Sequence, residues 1–168
     1  IRQIATEHGA PIVEDAGEAG SLLTLPALDF RRIEARLAEY RLRGESSGRL
    51  GEFFGAAVVM SRTYAAVVTN PPYSNRYDDR LRAFLDRHYR HFAGDLFSAF
   101  MKRNMDFCRS GGYAGFLTPF VWMFIRKYEP ARREIIDNSG IVTLIQFEYS
   151  AYEEATVPLC AFVLVNDR

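Results

Sequence analysis

The sequence predicts an α/β domain built on a mostly parallel sheet with an antiparallel last strand. Three observations predict it. Apolar runs of strand length occur at Tyr64–Thr69, Tyr113–Thr118, Ile141–Phe147 and Cys160–Val165. Segments with apolar residues at helical spacing separate the first three runs, the pattern of a parallel sheet. The last two runs are joined across Tyr149–Pro158 and suit an antiparallel pair at a sheet edge.

The elements follow in order. Pro11-Ile12-Val13 suits a short strand, and Asp15 to Ser21 reads as a loop with two glycines. From Asp29 to Arg43, Phe30, Ile33, Leu37 and Tyr40 share one helical face, with Asp29 as N-cap and Gly44 as stop. Glu45-Ser46-Ser47-Gly48 is a polar linker. Phe53 to Met60 is apolar and suits a short helix leading into the Tyr64–Thr69 run, which reads as a buried strand. A helix with Leu81, Phe84, Leu85 and His88 on one face comes next. A longer one then runs to about Arg109, burying Phe97, Phe100, Met101, Met105 and Cys108 and ending at Gly111-Gly112. The Tyr113–Thr118 strand closes on Pro119, and aromatic-rich Phe120–Phe124 follows. The last helix spans about Tyr128 to Asn138, with Pro130 tolerated in its first turn and Gly140 as its stop.

Composition sets limits on function. With 168 residues, 48% hydrophobic and 14% aromatic, the chain is long and apolar enough for a packed core and excludes disorder. The formal net charge is zero, so any nucleic-acid surface is local. Lysine occurs only at Lys102 and Lys127, and the other basic residues are arginines. Two isolated cysteines, Cys108 and Cys160, make neither a disulfide framework nor a metal pair, which points to a reducing, cytoplasmic compartment. No apolar run approaches the ~20 residues of a membrane span. His88 and His91 have helical spacing but no third ligand nearby, so no metal is expected. Ile1 has no preceding methionine and lies in a helix-like stretch, which suggests a piece of a longer protein.

The stretch that carries chemistry is Asn70-Pro71-Pro72-Tyr73, directly after an apolar strand. In open α/β sheets, ligands bind beyond the carboxyl ends of strands. Two prolines fix φ, and the residue before a proline is pushed to extended backbone, so the loop is stiff before anything binds. Asn70 offers a side-chain carbonyl and Pro71 a backbone carbonyl, two acceptors for the hydrogens of one amino group. Tyr73 offers a flat face to a ring. Accepting both hydrogens aims the nitrogen lone pair at an electrophile, so catalysis would rest on positioning and electrostatics. A plain strand-ending turn is the bland alternative.

The motif resembles the catalytic tetrapeptide of amino-methyltransferases, chiefly DNA adenine-N6 methylases. Asp95-Leu96-Phe97, Phe100, Gly111 to Pro119 and Trp122 are similar to the family's next segments in order and spacing. Tyr64 to Val165 most resembles the large adenine-specific methylases of restriction–modification and phage-defence systems, including the PglX-like type of BREX systems.

The resemblance implies a partial Rossmann-like class I methyltransferase fold. Residues 1–50 would be an N-terminal linker and helix, and 51–168 the second half of a catalytic domain. It implies methyl transfer from S-adenosylmethionine to the N6 of a flipped adenine, with Asn70, Pro71, Pro72 and Tyr73 catalytic. Tyr73 and Tyr152 (or Tyr149) would stack on the two faces of the base. Asp95, Leu96 and Phe97 would lie near the cofactor, whose main binding loop is expected upstream. The glycines at Asp15–Ser21 match that loop poorly and lie too close to the motif. Arg76 and Arg80 would touch backbone phosphates, although a solvated helix face explains them too.

Expected partners are double-stranded DNA and the remainder of the parent protein. The exposed edge at Tyr64–Thr69 is open to an edge-paired or swapped dimer. The alternatives are a non-catalytic DNA- or partner-binding half-domain, or an amino-methyltransferase acting on a protein glutamine or on RNA. Methylation by the isolated chain is not expected.

Overall fold

The computed structural model describes residues 20–23, 25, 29–44, 48–148 and 157–167. The strand expected at Pro11–Val13, most of the Asp15–Ser21 loop, the linker at Glu45–Ser47, and Tyr149 and Tyr152 lie outside the described residues. Two compact units divide at Arg62/Thr63. The boundary expected at residue 50 falls inside a helix, because Gly48 and the residues after it continue into the apolar run at Phe53.

In the first unit, helix α1 (Phe30–Leu42) starts at Asp29, whose carboxylate accepts from the Arg32 N–H at 3.1 Å. Helix α2 spans Gly48–Met60. Ile33 and Leu37 of α1 are buried with Phe54 and Val58 of α2, flanked by Phe30 and Phe53. The expected α1 face is therefore the packed one. Each such side chain contributes about 1.5–3 kcal/mol through removal from water.

In the second unit, four strands form one sheet: β1 (Tyr64–Thr69), β2 (Cys108–Pro119), β3 (Ser139–Gln146) and β4 (Leu159–Asn166), in the order β1-β2-β4-β3. β1 and β2 are parallel, and β4 is antiparallel to both neighbours. The antiparallel pair expected at a sheet edge is found there, with β3 outermost and β4 next to β2, where its alternating buried side chains Phe162 and Leu164 pack. Helices α3 (Asp79–His88) and α4 (Leu96–Phe107) cross from β1 to β2, and α5 (Glu129–Asn138) from β2 to β3. Both crossovers advance across the sheet in the same direction, so their right-handedness puts α4 and α5 on one face. Met101 and Met105 of α4, Ile135 of α5 and Leu164 of β4 line one small pocket there.

That face holds the core. Phe116 stacks on Phe162 at 5.0 Å between centroids, and Trp122 lies 5.0 Å from the same ring. The opposite face carries Val68, Tyr113 and Ile145, all exposed, with Val68 at 85%. β1 is therefore not the buried strand expected from its apolar run. It is an edge strand with one covered and one open face.

The long α4 ends at Phe107, earlier than its apolar pattern suggests, and Gly111-Gly112 lies inside β2 rather than stopping the helix. Gly111 has φ +68, and a Cβ on Gly112 would lie 2.9 to 3.1 Å from the carbonyl oxygens of Arg109, Tyr64 and Ala65. The pair lets β2 bulge past the start of β1, where the register shifts between Tyr64 and Ala66. Likewise Gly140 belongs to β3, which already begins at Ser139.

Candidate active site

β1 and β2 point the same way, with Thr69 opposite Phe116, so Asn70–Tyr73 leaves the sheet beside the last turns of β2. Pro71 is buried, while Asn70, Pro72 and Tyr73 are exposed. The Tyr73 hydroxyl lies 2.7 Å from Asn70 Oδ1 and 3.1 Å from the Leu117 carbonyl oxygen. A phenol has one proton, so it donates to one of these acceptors at a time. The oxygen expected to accept from a substrate amine is thus met by the hydroxyl of the residue expected to stack on the ring. A hollow of about 540 Å³ lies beside Asn70, lined mainly by apolar groups including Val68, Gly115, Leu117 and Ile145.

The loop beyond Tyr73 is tied down by backbone. The Ser74 N–H donates to Asp95 Oδ1 at 3.1 Å, and the Leu96 N–H returns a bond to the Ser74 carbonyl at 2.9 Å. The Ser74 hydroxyl donates to the Arg76 carbonyl at 3.1 Å. The Tyr77 hydroxyl donates to the Ala93 carbonyl at 2.9 Å, and Asp78 caps α3 by accepting from the Leu81 N–H at 2.8 Å. Asp95 is the N-cap of α4 and is buried. Burial pushes its carboxyl above the usual carboxylate range, against the Phe97 N–H, the Lys127 ammonium and the N–H groups of Ser74 and Leu96. Burial and the Asp95 charge push the Tyr77 phenol up in turn.

Of the residues expected near a cofactor, Phe97 is 1% exposed and packs against Tyr128 at 5.5 Å, Asp95 holds Ser74, and Leu96 is half-buried. Arg76 and Arg80 are exposed near the motif. Arg82, also in α3, lies over the Tyr77 ring at 5.1 Å. Among the described residues no cluster of three metal-ligating side chains occurs. Both cysteines are free and buried. No described helix is long and apolar enough to cross a membrane. Two partners escaped the sequence reading. Ser74 gave no motif signal, and the Leu117 carbonyl depends on a strand register that spacing alone does not set.

The second unit is thus a mixed α/β sheet with a parallel β1–β2 pair, an antiparallel strand beside it and a polar loop at the carboxyl end of β1. The chain shares that fold with a class I S-adenosylmethionine-dependent methyltransferase from Listeria monocytogenes (TM-score 0.52, 16% identity, 64% of this chain and 33% of that one). It shares it also with a chain of a DrdV–DNA complex solved by electron cryomicroscopy (TM-score 0.54, 16% identity, 67% of this chain and 14% of that one). More narrowly, the chain belongs to the Eco57I restriction-modification methylase family, whose profile matches residues 30–152. It is 27% identical over 162 residues to the adenine-specific methyltransferase BrxX of Escherichia coli O9:H4 (strain HS). The match takes in 89% of this chain and spans 13% of the length of BrxX.

Proposed function

We propose that the full-length protein is an S-adenosylmethionine-dependent DNA methyltransferase acting on adenine N6 in restriction–modification or phage defence, and that this chain forms the amine-binding wall of its pocket. The observation that carries this reading is the position of Asn70-Pro71-Pro72-Tyr73. It closes β1 beside Leu117, with the Tyr73 hydroxyl against Asn70 Oδ1 and the Leu117 carbonyl, in a chain of a restriction-modification methylase family.

In this reading Asn70 Oδ1 and the Pro71 carbonyl accept the two N6 hydrogens of an adenine taken out of the duplex. The Tyr73 ring stacks on the base, and Tyr152 takes its other face. Drawing both hydrogens aside leaves the nitrogen lone pair facing the electrophile, a gain made by preorganised acceptors rather than by a base. S-adenosylmethionine supplies an electrophilic methyl group when bound. Phe97 is committed to the core and Asp95 to Ser74. Asp95, Leu96 and Phe97 therefore suit the margin of a cofactor site rather than its main cradle. Arg76 and Arg80 suit phosphate contacts, being exposed on the loop and helix that follow the motif.

The test is methyl transfer by the full-length protein to duplex DNA, followed by digestion and identification of the modified nucleoside. N6-methyladenine supports the reading. Label on a protein glutamine or on RNA, with none on DNA, would replace the substrate while keeping the amine-binding role. Binding to DNA or to a partner with no transfer at all would favour the non-catalytic half-domain.

A further inference from the structure

A second loop emerges on the same side of the sheet as the catalytic one. β1 and β2 are parallel, and the segment Phe120–Tyr128 begins three residues after Leu117, whose carbonyl the Tyr73 hydroxyl approaches. Its outer residues are unusual for a connecting segment. Phe124 is 65% exposed and Ile125 45% exposed, and the next two residues, Arg126 and Lys127, are exposed cations. No acidic residue occurs between Phe120 and Tyr128.

The loop is tied to the body of the unit despite this exposure. Trp122 and Tyr128 are buried against Phe162 and Phe97. The Arg132 guanidinium in α5 donates from Nη1 to the Trp122 carbonyl at 2.7 Å and to the Ile125 carbonyl at 2.8 Å. The Phe120 N–H donates to the Pro158 carbonyl at 3.0 Å, and the Phe120 ring meets Phe124 edge-on at 5.4 Å. The exposed apolar tip is therefore held in place rather than left to collapse.

Two of the nearby acids are already engaged, while Asp137 lines a surface hollow together with Arg126. Glu129 accepts from Arg133 at 2.9 Å, and Glu134 pairs with His91 at 3.0 Å. Lys127 donates to the Gly94 carbonyl at 3.3 Å, beside Asp95. The Arg126 carbonyl accepts from the Glu129 N–H, but the Arg126 guanidinium has no hydrogen-bond or ion-pair partner among the described residues.

We propose that the Phe120–Tyr128 loop is a DNA-contacting element. Phe124 and Ile125 pack against bases or sugars next to the extruded adenine, and Arg126 meets a backbone phosphate. This rests on the reading that duplex DNA is the substrate. Extruding a base leaves a gap in the stack, and apolar or aromatic side chains on a fixed loop stabilise such gaps. An unpaired guanidinium beside them supplies the phosphate contact. A protein partner could offer a carboxylate to the same cation, and the salt dependence below separates the two occupants, since only a phosphate contact releases counterions condensed on DNA.

The test uses the full-length protein and a fluorescein-labelled duplex in which one adenine faces an abasic site, titrated over a salt series. Arg126→Gln should lower the slope of log K against log salt by about 1. Phe124→Ser should weaken binding roughly tenfold with the slope unchanged, the effect of losing one stacking platform. If the wild type binds and both variants match it at every salt concentration, the inference fails and the functional reading stands. Variants that change oligomeric state or melting temperature without DNA, while retaining the wild-type salt slope, would make the loop a protein-packing surface and overturn it. A wild type that binds no DNA removes the functional reading and this inference with it.

Discussion

Replacing Tyr73 by Phe separates the two roles that the structure gives this residue. The ring is the proposed stacking face, while the hydroxyl sits 2.7 Å from Asn70 Oδ1, on the acceptor proposed for the substrate amine. A substrate amine competes with it for that oxygen. The displaced hydroxyl has a second acceptor in reach, the Leu117 carbonyl at 3.1 Å, so the exchange costs less than one net hydrogen bond. A net hydrogen bond is about 0.5–1.5 kcal/mol, and about 1.4 kcal/mol is a factor of ten. Tyr73→Phe should therefore bind an extrahelical adenine more tightly, by at most roughly tenfold, with turnover changed by no more than the same factor. Tyr73→Ala should weaken binding by roughly 5- to 150-fold, since base–aromatic stacking is worth about 1–3 kcal/mol. The assay in the full-length protein is a fluorescence titration of a duplex carrying 2-aminopurine opposite an abasic site, with methyl-transfer rates measured in parallel. If Tyr73→Phe loses turnover as severely as Asn70→Ala, the hydroxyl takes part in the chemistry and the reasoning is refuted.

Three further outcomes follow from the packing. Asp95 has a carboxyl raised by burial, so the folded protein holds its proton more tightly than the unfolded chain does. Its stabilising effect is complete below the unfolded pKa and is lost as pH rises through the folded one. Asp95→Asn keeps an acceptor for the Ser74 N–H and should raise the melting temperature at neutral pH, a gain that vanishes in acid. Asp95→Ala should cost about 1–3 kcal/mol by stranding that N–H, and equal melting curves for the two variants would contradict the tether. Cys108 and Cys160 are buried with thiols pushed up by burial, so iodoacetamide should label neither in the native protein and both in denaturant, read by peptide mass mapping. Gly112→Ala places a Cβ 2.9 to 3.1 Å from three carbonyl oxygens and should destabilise by about 1–3 kcal/mol, visible as a lowered melting temperature. An unchanged value would mean the β2 bulge is looser than its geometry indicates.

Much of the fold was legible because local pattern and tertiary role coincide. Ile33 and Leu37 sit at helical spacing and are buried, and Asp29 caps as its chemistry suggests. The end of α4 and the start of β2 were misread because Cys108 continues the helical spacing but belongs to the strand. There the decision lies with cross-strand pairing and with Asn166, whose Nδ2 donates to the Cys108 carbonyl at 2.8 Å. The place of β4 inside the sheet is a long-range pairing that no local window reports. At the site, Asn70-Pro71-Pro72-Tyr73 was readable as a loop that closes a strand, because proline geometry is intrinsic to those residues. The hydroxyl bridge to Leu117 and the Ser74–Asp95 tether were not, since both depend on how β1, β2 and α4 meet.

Asn70 is the proposed acceptor for the target amine. The most direct measurement is transfer of labelled methyl groups from S-adenosylmethionine to adenine in duplex DNA by the full-length protein, comparing wild type with Asn70→Ala at matched DNA occupancy. Removing a preorganised group of this kind costs about 10²- to 10³-fold in turnover, so the account predicts a fall of at least that order with DNA binding largely kept. Transfer by Asn70→Ala at the wild-type rate would contradict it.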